Sequence, residues 1–223
     1  MMIVVEGVDG TGKSSLAESL AGYFGGSPIH SENALLGEQI KRILKDDPLN
    51  PVARAIFYMS NAKVTLESIG MERIKSSDKV FVFDRYMYST IASQQSMAVY
   101  LGDTDSAKAM ERIAAASIDE FPKPEVVFFL YAEKAARIKR IEGRKEAGRF
   151  DKEYDMKEAE QKLYLKLAGM LRGRGVMVCE IDTTNITKEE VFLEAVKTIG
   201  HLGPIQKISG YKSIKASAAR QLG

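Results

Sequence analysis

Gly7-Val8-Asp9-Gly10-Thr11-Gly12-Lys13-Ser14 fits the spacing G-x-x-x-x-G-K-[ST]. The apolar run Met2-Ile3-Val4-Val5-Glu6 precedes it, and a helix-forming stretch, 13–24, follows. Strand, glycine loop and helix in that order make the spacing specific. Without that setting it is also the pattern of a tight glycine-rich turn. Glycines permit positive φ and let the backbone close on an anion. Successive N–H groups then point into one nest at a helix N-terminus. In that nest Gly7, Asp9, Gly10, Thr11, Gly12, Lys13, Ser14 and Ser15 would hold a nucleotide polyphosphate. Lys13 would reach the β- and γ-phosphates and the Ser14 hydroxyl would ligate Mg²⁺. The chemistry predicted is phosphoryl transfer from ATP with Mg²⁺.

Outward from the loop, short apolar runs alternate with helical ones. Lys79-Val80-Phe81-Val82-Phe83-Asp84, Glu125-Val126-Val127-Phe128-Phe129-Leu130 and Val176-Met177-Val178-Cys179-Glu180-Ile181 read as strands, and Pro28-Ile29-His30 as a weaker one. Strands apolar throughout suit a parallel sheet covered on both sides. Helices are predicted over 37–45, 51–75, 88–100, 106–119, 132–141, 155–172 and 187–199, with Pro51 favouring a start. The helix at 155–172 carries Met156, Ala159, Leu163, Leu167 and Met170 at helical spacing. Thr187 with Glu190 fits a capping box. The alternation predicts a P-loop NTPase fold: three layers, α/β/α, around a parallel five-stranded sheet with right-handed crossovers.

Bulk properties narrow the partners. The 223 residues suffice for one α/β domain, and 45% apolar with 28% charged is ordinary for a globular chain. A net charge of +2 gives no reason to expect a nucleic acid polymer or a membrane surface as partner. The single cysteine, Cys179, cannot make an internal disulfide and reads as a buried strand thiol. No apolar segment is long enough to span a bilayer, and the first apolar run has no basic leader. A cytoplasmic protein is expected. Residues 1–200 form the kinase-like domain. Residues 201–223, with Lys207, Lys212, Lys215 and Arg220, read as a basic tail, either loosely held or a subunit or nucleotide contact.

Asp84-Arg85-Tyr86 ends the second clear strand, and carboxyl ends of parallel strands face the ligand crevice. Asp84 is therefore a candidate Mg²⁺ ligand and Arg85 a candidate phosphate contact, although such a pair can also be a plain ion pair. With these residues the chain resembles the thymidylate kinase family. The matching runs are Glu6 to Ser14, Asp84-Arg85-Tyr86-x-x-Ser89-x-x-Ala92-x-Gln94, Gly37-x-x-Ile40, Phe57, Arg149-Phe150-Asp151, Tyr164-Leu165-x-Leu167-Ala168 and Ile181-Asp182-Thr183. The resemblance spans residues 2 to about 200. It implies a homodimeric kinase that moves the γ-phosphoryl group of ATP to a nucleoside monophosphate, dTMP foremost. It implies that Asp9 holds the acceptor sugar, that Arg85 bridges donor and acceptor phosphates, and that Phe57 stacks on the acceptor base. Ser89 falls in the same acceptor region.

The segment 142–152, with Gly143, Arg144, Lys145, Gly148 and Arg149, suits a closing lid or a solvated basic loop. A lid can supply an arginine to the transition state and exclude water. Losing such an arginine costs on the order of 10³-fold or more in rate. The glycine loop contains no arginine, so the lid is the expected source, Arg149 before Arg144.

Three positions depart from the family's pattern. Residues 25–40 contain no arginine or lysine where the family grips the acceptor phosphate. Lys41 and Arg42 stand nearby, as compensation or as solvent-facing charges. Asn61 stands where an arginine usually meets the base edge. It reads as a shorter base contact or as a surface amide. Ser93 replaces an aromatic residue near the sugar C2′, which weakens discrimination against ribose. Three functions follow: a monophosphate kinase, a kinase for a neutral acceptor such as a nucleoside, and an ATP-binding regulatory module without catalysis.

Overall fold

The structure, a computed structural model, describes residues 1–30, 39–40, 42–43, 50–76, 78–143 and 154–201. The expected helix at 37–45 lies largely outside these residues, although 39–40 and 42–43 are helical and Ile40 is buried. Five strands form one sheet: β1 (Met2–Gly7), β2 (Ile29–His30), β3 (Phe81–Asp84), β4 (Val126–Tyr131) and β5 (Met177–Asp182). Their order is β2-β3-β1-β4-β5 and every pairing is parallel. The strand carrying the glycine loop is thus central, with Val5 opposite Asp84 and Phe128. The predicted fold is the one observed.

Helices among the described residues are α1 (Lys13–Tyr23), α2 (Pro51–Ile69), α3 (Met71–Ser76), α4 (Met87–Tyr100), α5 (Thr104–Glu120), α6 (Lys134–Glu142), α7 (Tyr154–Arg172) and α8 (Lys188–Gly200). Pro51 does start α2, with the Asn50 side chain accepting from the Ala53 N–H at 2.8 Å. The capping box at Thr187 and Glu190 forms with both of its hydrogen bonds. The helix expected over 51–75 is two helices instead. Gly70 adopts φ 86°, which a side chain would oppose, so α2 stops there and α3 restarts.

Alternation along each strand divides the core in two. Met2, Val4, Phe83, Val127 and Phe129 face α2, α4, α5 and α7, meeting Leu66, Ile91, Ile118 and Leu167. Ile3, Val5, Val82, Phe128 and Leu130 face α1 and α8, meeting Leu16, Leu20, Val191 and Ala195. At about 25 cal/mol per Å² of apolar surface, these two layers dominate the stabilisation of the sheet. Cys179 is only half-buried, because β5 is an edge strand with one neighbour. On α7 the buried stripe runs through Met156, Glu160, Tyr164, Leu167, Ala168 and Leu171. Ala159, Leu163 and Met170 are half-buried beside it. A glutamate therefore occupies a core position of that helix, which its apolar spacing did not reveal.

Candidate active site

Because β1 is central, the loop leaving it emerges at the middle of the sheet's carboxyl edge. Gly12 caps α1 in the left-handed conformation, φ 91°, so the helix begins at Lys13 with its free N–H groups toward the loop. The Thr11 hydroxyl donates to the Val8 carbonyl at 2.8 Å and closes the turn. A methyl group at Gly10 would lie 2.8 Å from the Arg137 carbonyl oxygen, so only glycine lets α6 approach the loop. Arg140, one turn further along α6, donates to the Gly10 carbonyl at 3.1 Å and to the Thr184 carbonyl at 3.3 Å, and also bonds the Thr183 carbonyl. The Thr183 hydroxyl in turn donates to the Thr11 carbonyl at 2.9 Å. The glycine loop is thereby clamped to the connection between β5 and α8. Beside it opens a cavity of about 360 Å³ lined by Gly10, Thr11, Gly12, Ser15, Arg140 and Thr187, among others.

Asp9 is the charge centre. Its Oδ1 accepts from Lys13 Nζ at 2.8 Å and from the Arg85 guanidinium at 2.6 Å, and its Oδ2 stands 3.9 Å from Lys157 Nζ. Burial alone would raise its carboxyl pKa, but the cations Lys13, Arg85 and Lys157 outweigh that and hold it well below the usual range. Burial, and then Arg85, lower the pKa of Lys13. Arg85 is the one described non-glycine residue with positive φ, 72°. Its N–H donates to Val5 at 3.0 Å, extending the β1–β3 ladder, before the left-handed turn starts α4. A left-handed arginine costs roughly 1–2 kcal/mol of backbone strain. That geometry is what brings its side chain onto Asp9.

Beneath Asp9 lies Glu6, fully buried at the end of β1. Its Oε1 accepts from the Tyr86 N–H at 2.8 Å and the Ser89 N–H at 3.1 Å, and its Oε2 bonds the Ser89 hydroxyl. A carboxylate thus satisfies the free amides at the start of α4. Burial pushes the Glu6 pKa up to about 7, against the lowering effect of those bonds and of Arg85.

Asp84 and Ser14 are the two expected Mg²⁺ ligands. Asp84 is 6% exposed. Its Oδ2 stands 3.3 Å from His30 Nδ1, and its buried Oδ1 has no hydrogen-bond partner among the described residues. An orphaned carboxylate oxygen in a buried setting is costly unless a cation satisfies it, so the residue fits a Mg²⁺ ion arriving with the nucleotide. Ser14 and Ser15 are half-buried on the first turn of α1.

Among the residues expected at the acceptor, Phe57 is half-buried on α2 and belongs to neither core cluster of the described residues. Asn61, one turn on, is 3% exposed and hence no surface amide. Ser93 is half-buried on α4 and its hydroxyl accepts from Gln94 at 3.1 Å. The Oε1 of Gln94 is buried without a hydrogen-bond partner among the described residues. Ser89, expected near the acceptor, has its N–H and hydroxyl engaged with Glu6 and its hydroxyl 3.3 Å from Tyr164. Arg42 is exposed. Arg144 and Arg149 lie outside the described residues, as do Lys41 and the tail from 202 onward. The structure therefore joins Asp9, Lys13 and Arg85 directly and sets Asp84 beside them. It adds Glu6, Arg140, Thr183, Lys157 and Glu160, which spacing did not single out. Of these, Glu6 and Thr183 stand in the runs that carry the family resemblance, whereas Arg140, Lys157 and Glu160 left no trace in the spacing.

Comparison with known proteins agrees with this geometry. The family model for thymidylate kinase matches residues 5–192. A probable thymidylate kinase of Methanocaldococcus jannaschii is 31% identical over 210 residues, covering 90% of this chain and 98% of that protein. The thymidylate kinase of Helicobacter pylori is 26% identical, covering 77% of this chain and 98% of that protein. Among solved structures, the Candida albicans thymidylate kinase has TM-score 0.69 at 18% identity, over 91% of this chain and 92% of that one. A deoxyadenosine kinase of M. mycoides with bound dATP has TM-score 0.63 at 16% identity, over 90% and 100%. Those two likenesses speak for the fold alone. With its glycine loop, its Asp-Arg-Tyr turn and its sequence relatives in agreement, the chain belongs to the thymidylate kinase family, whose members are phosphotransferases.

Proposed function

We propose that this enzyme transfers the γ-phosphoryl group of ATP to a nucleoside monophosphate, with dTMP as the first acceptor. The observation that carries the reading is the convergence of Lys13 and Arg85 on Asp9 at the mouth of the glycine loop. Phosphates from two nucleotides need such a concentration of cations, since their oxygens repel each other as they meet. An oxygen of the acceptor phosphate attacks Pγ while the bond from Pγ to the β–γ bridging oxygen breaks, and ADP leaves with that electron pair. The acceptor phosphate is largely dianionic at neutral pH, so no strong base is required. Asp9, held ionised by its cations, acts as an anchor for Lys13 and Arg85 and for the acceptor sugar.

The glycine loop amides, with Gly7, Gly10, Thr11, Gly12 and Ser15, cradle the donor phosphates, and the adjoining cavity takes the base of ATP. Ser14 and Asp84 would hold Mg²⁺, which would neutralise charge on the transferred group. Phe57, Asn61 and Ser93 receive the acceptor nucleoside, and Arg149 and Arg144 close over the phosphates from a lid at 142–152. A homodimer belongs to the same proposal, supported by the exposed apolar side chains Ile56, Val99, Tyr100 and Leu101. Among the described residues no helix is long and apolar enough to cross a membrane, which is compatible with a cytoplasmic enzyme.

A second reading, a kinase for a neutral acceptor, rests on the lack of arginine and lysine in 25–40. A coupled ADP-release assay over nucleoside monophosphates and the matching nucleosides separates the two. Stimulation by dTMP well above thymidine is expected. Stimulation by thymidine alone would install the second reading, and no stimulation by any acceptor would end both.

A further inference from the structure

Three cations, Lys13, Arg85 and Lys157, converge on the Asp9 carboxylate. Lys13 and Arg85 already share its Oδ1, yet Lys157 from α7 faces its Oδ2 at 3.9 Å, beyond direct hydrogen-bonding distance. Lys157 is not there by looseness. Its Nζ is 2.8 Å from Glu160 Oε2, one turn along the same helix, and Glu160 is completely buried. The side chain is 18% exposed, while Asp9 keeps 42% of its own side chain open to the cleft. An ammonium anchored from behind and left with an incomplete contact in front has donor capacity directed at the cleft. The other carboxylates near these cations, Glu6, Asp84 and Glu160, are buried, so a phosphate entering the cleft meets the cations with Asp9 as the exposed carboxylate among them. The segment 25–40 meanwhile offers no cation to a phosphate entering from the acceptor side.

We infer that Lys157 is a further catalytic residue, whose ammonium group donates to a phosphate oxygen where donor and acceptor phosphates meet, with Glu160 as its positioning residue. The inference rests on the phosphotransfer reading above and extends it to a side chain from the far helix. The acceptor phosphate and the transferred phosphoryl group share the chemistry required, and kinetics distinguishes them.

The test compares wild type with Lys157→Met, Lys157→Arg and the double variant Lys157→Met/Glu160→Gln. It measures kcat, the KM for dTMP and for ATP, Mg·ADP binding by calorimetry, and thermal midpoints. Lys157→Met should lower kcat/KM for dTMP about 10- to 100-fold, the range for one hydrogen bond to a charged group, with Mg·ADP affinity within about twofold. Lys157→Arg should recover most of it, since it keeps the charge. Lys157→Met leaves Glu160 buried without its cation and will lose stability. The double variant replaces the pair by neutral groups, and should regain the thermal midpoint without regaining turnover. A rise confined to the KM for dTMP assigns the contact to the acceptor phosphate, and a fall confined to kcat assigns it to the transferred group. A rise confined to the KM for ATP, unchanged kinetics in Lys157→Met, or turnover restored along with stability in the double variant would each overturn the assignment. A wild-type enzyme inactive with every monophosphate would instead overturn the phosphotransfer reading, and this inference with it.

Discussion

The proposed donor end and the proposed acceptor end of the cleft are built differently. At the donor end a single run of nine residues, Gly7 to Ser15, makes the nest from backbone geometry, and Arg140 and Thr183 only brace it. At the acceptor end nothing is contiguous. Phe57 and Asn61 come from α2, Arg85 from the turn after β3, Ser93 from α4 and Lys157 from α7. Backbone amides bind phosphate whatever side chains surround them, so the donor end tolerates change around it. The acceptor end depends on how four elements cross, so single substitutions redirect it. Asp9 belongs to both ends, and its carboxylate is where their charges are balanced.

That contrast yields graded expectations. Lys13→Ala should be the most damaging change, lowering kcat by on the order of 10³-fold with any acceptor. Steady-state rates with dTMP and with a second monophosphate check it, and an acceptor-dependent loss would blur the division between the two ends. Arg85 is the next largest. Arg85→Ala and Arg85→Gly should both lose on the order of 10²-fold in turnover. The glycine variant should be the more stable of the two by about 1 kcal/mol, because only glycine accepts φ 72° freely. Denaturant midpoints decide it, and equal stabilities would remove strain from the account.

Phe57→Ala should raise the KM for dTMP about tenfold, as loss of one stacking contact does, with the KM for ATP within about twofold. A comparable rise for ATP would show that Phe57 serves the fold and not the acceptor. The last expectation concerns stability against pH and leaves turnover aside. The Glu6 pKa in the folded chain is about 7, above the ordinary 4.5. The stability contributed by its proton is therefore full below about pH 4.5 and is lost as pH rises through about 7. The loss amounts to roughly 3 kcal/mol at most. Glu6→Gln keeps an acceptor for the Tyr86 and Ser89 amides and removes the titration. Its thermal midpoint should vary less than that of wild type between pH 5 and 8, in an experiment designed at about unit intervals. Parallel profiles would mean that Glu6 is ionised throughout.

Much of the fold is legible in the order of residues. The continuous apolar strands announce a buried parallel sheet, and Pro51 and Thr187 with Glu190 mark helix starts that the folded chain reproduces. The break at Gly70 is not legible in the same way. An isolated glycine inside a helical pattern is usually tolerated, and only its φ of 86° reveals the stop. Glu6 and Asp9 illustrate the limit at the site. Three residues apart, the one is driven up to about 7 by burial, while the other is driven down by the cations around it. No property of the Glu6-Gly7-Val8-Asp9 run foretells that divergence.

By itself the sequence determined the order of strands and helices, the glycine loop and the lysine that follows it. These depend on neighbours within a few residues, through backbone sterics and hydrophobic spacing. Only the tertiary structure decided that Arg85 and Lys157 share Asp9, that Glu160 is buried, and that Arg140 holds the loop to Thr183. Those pairings join residues up to 172 positions apart, as Thr183 and Thr11 are. Their energies are set by distance and desolvation, which exist only once the helices have packed on the sheet.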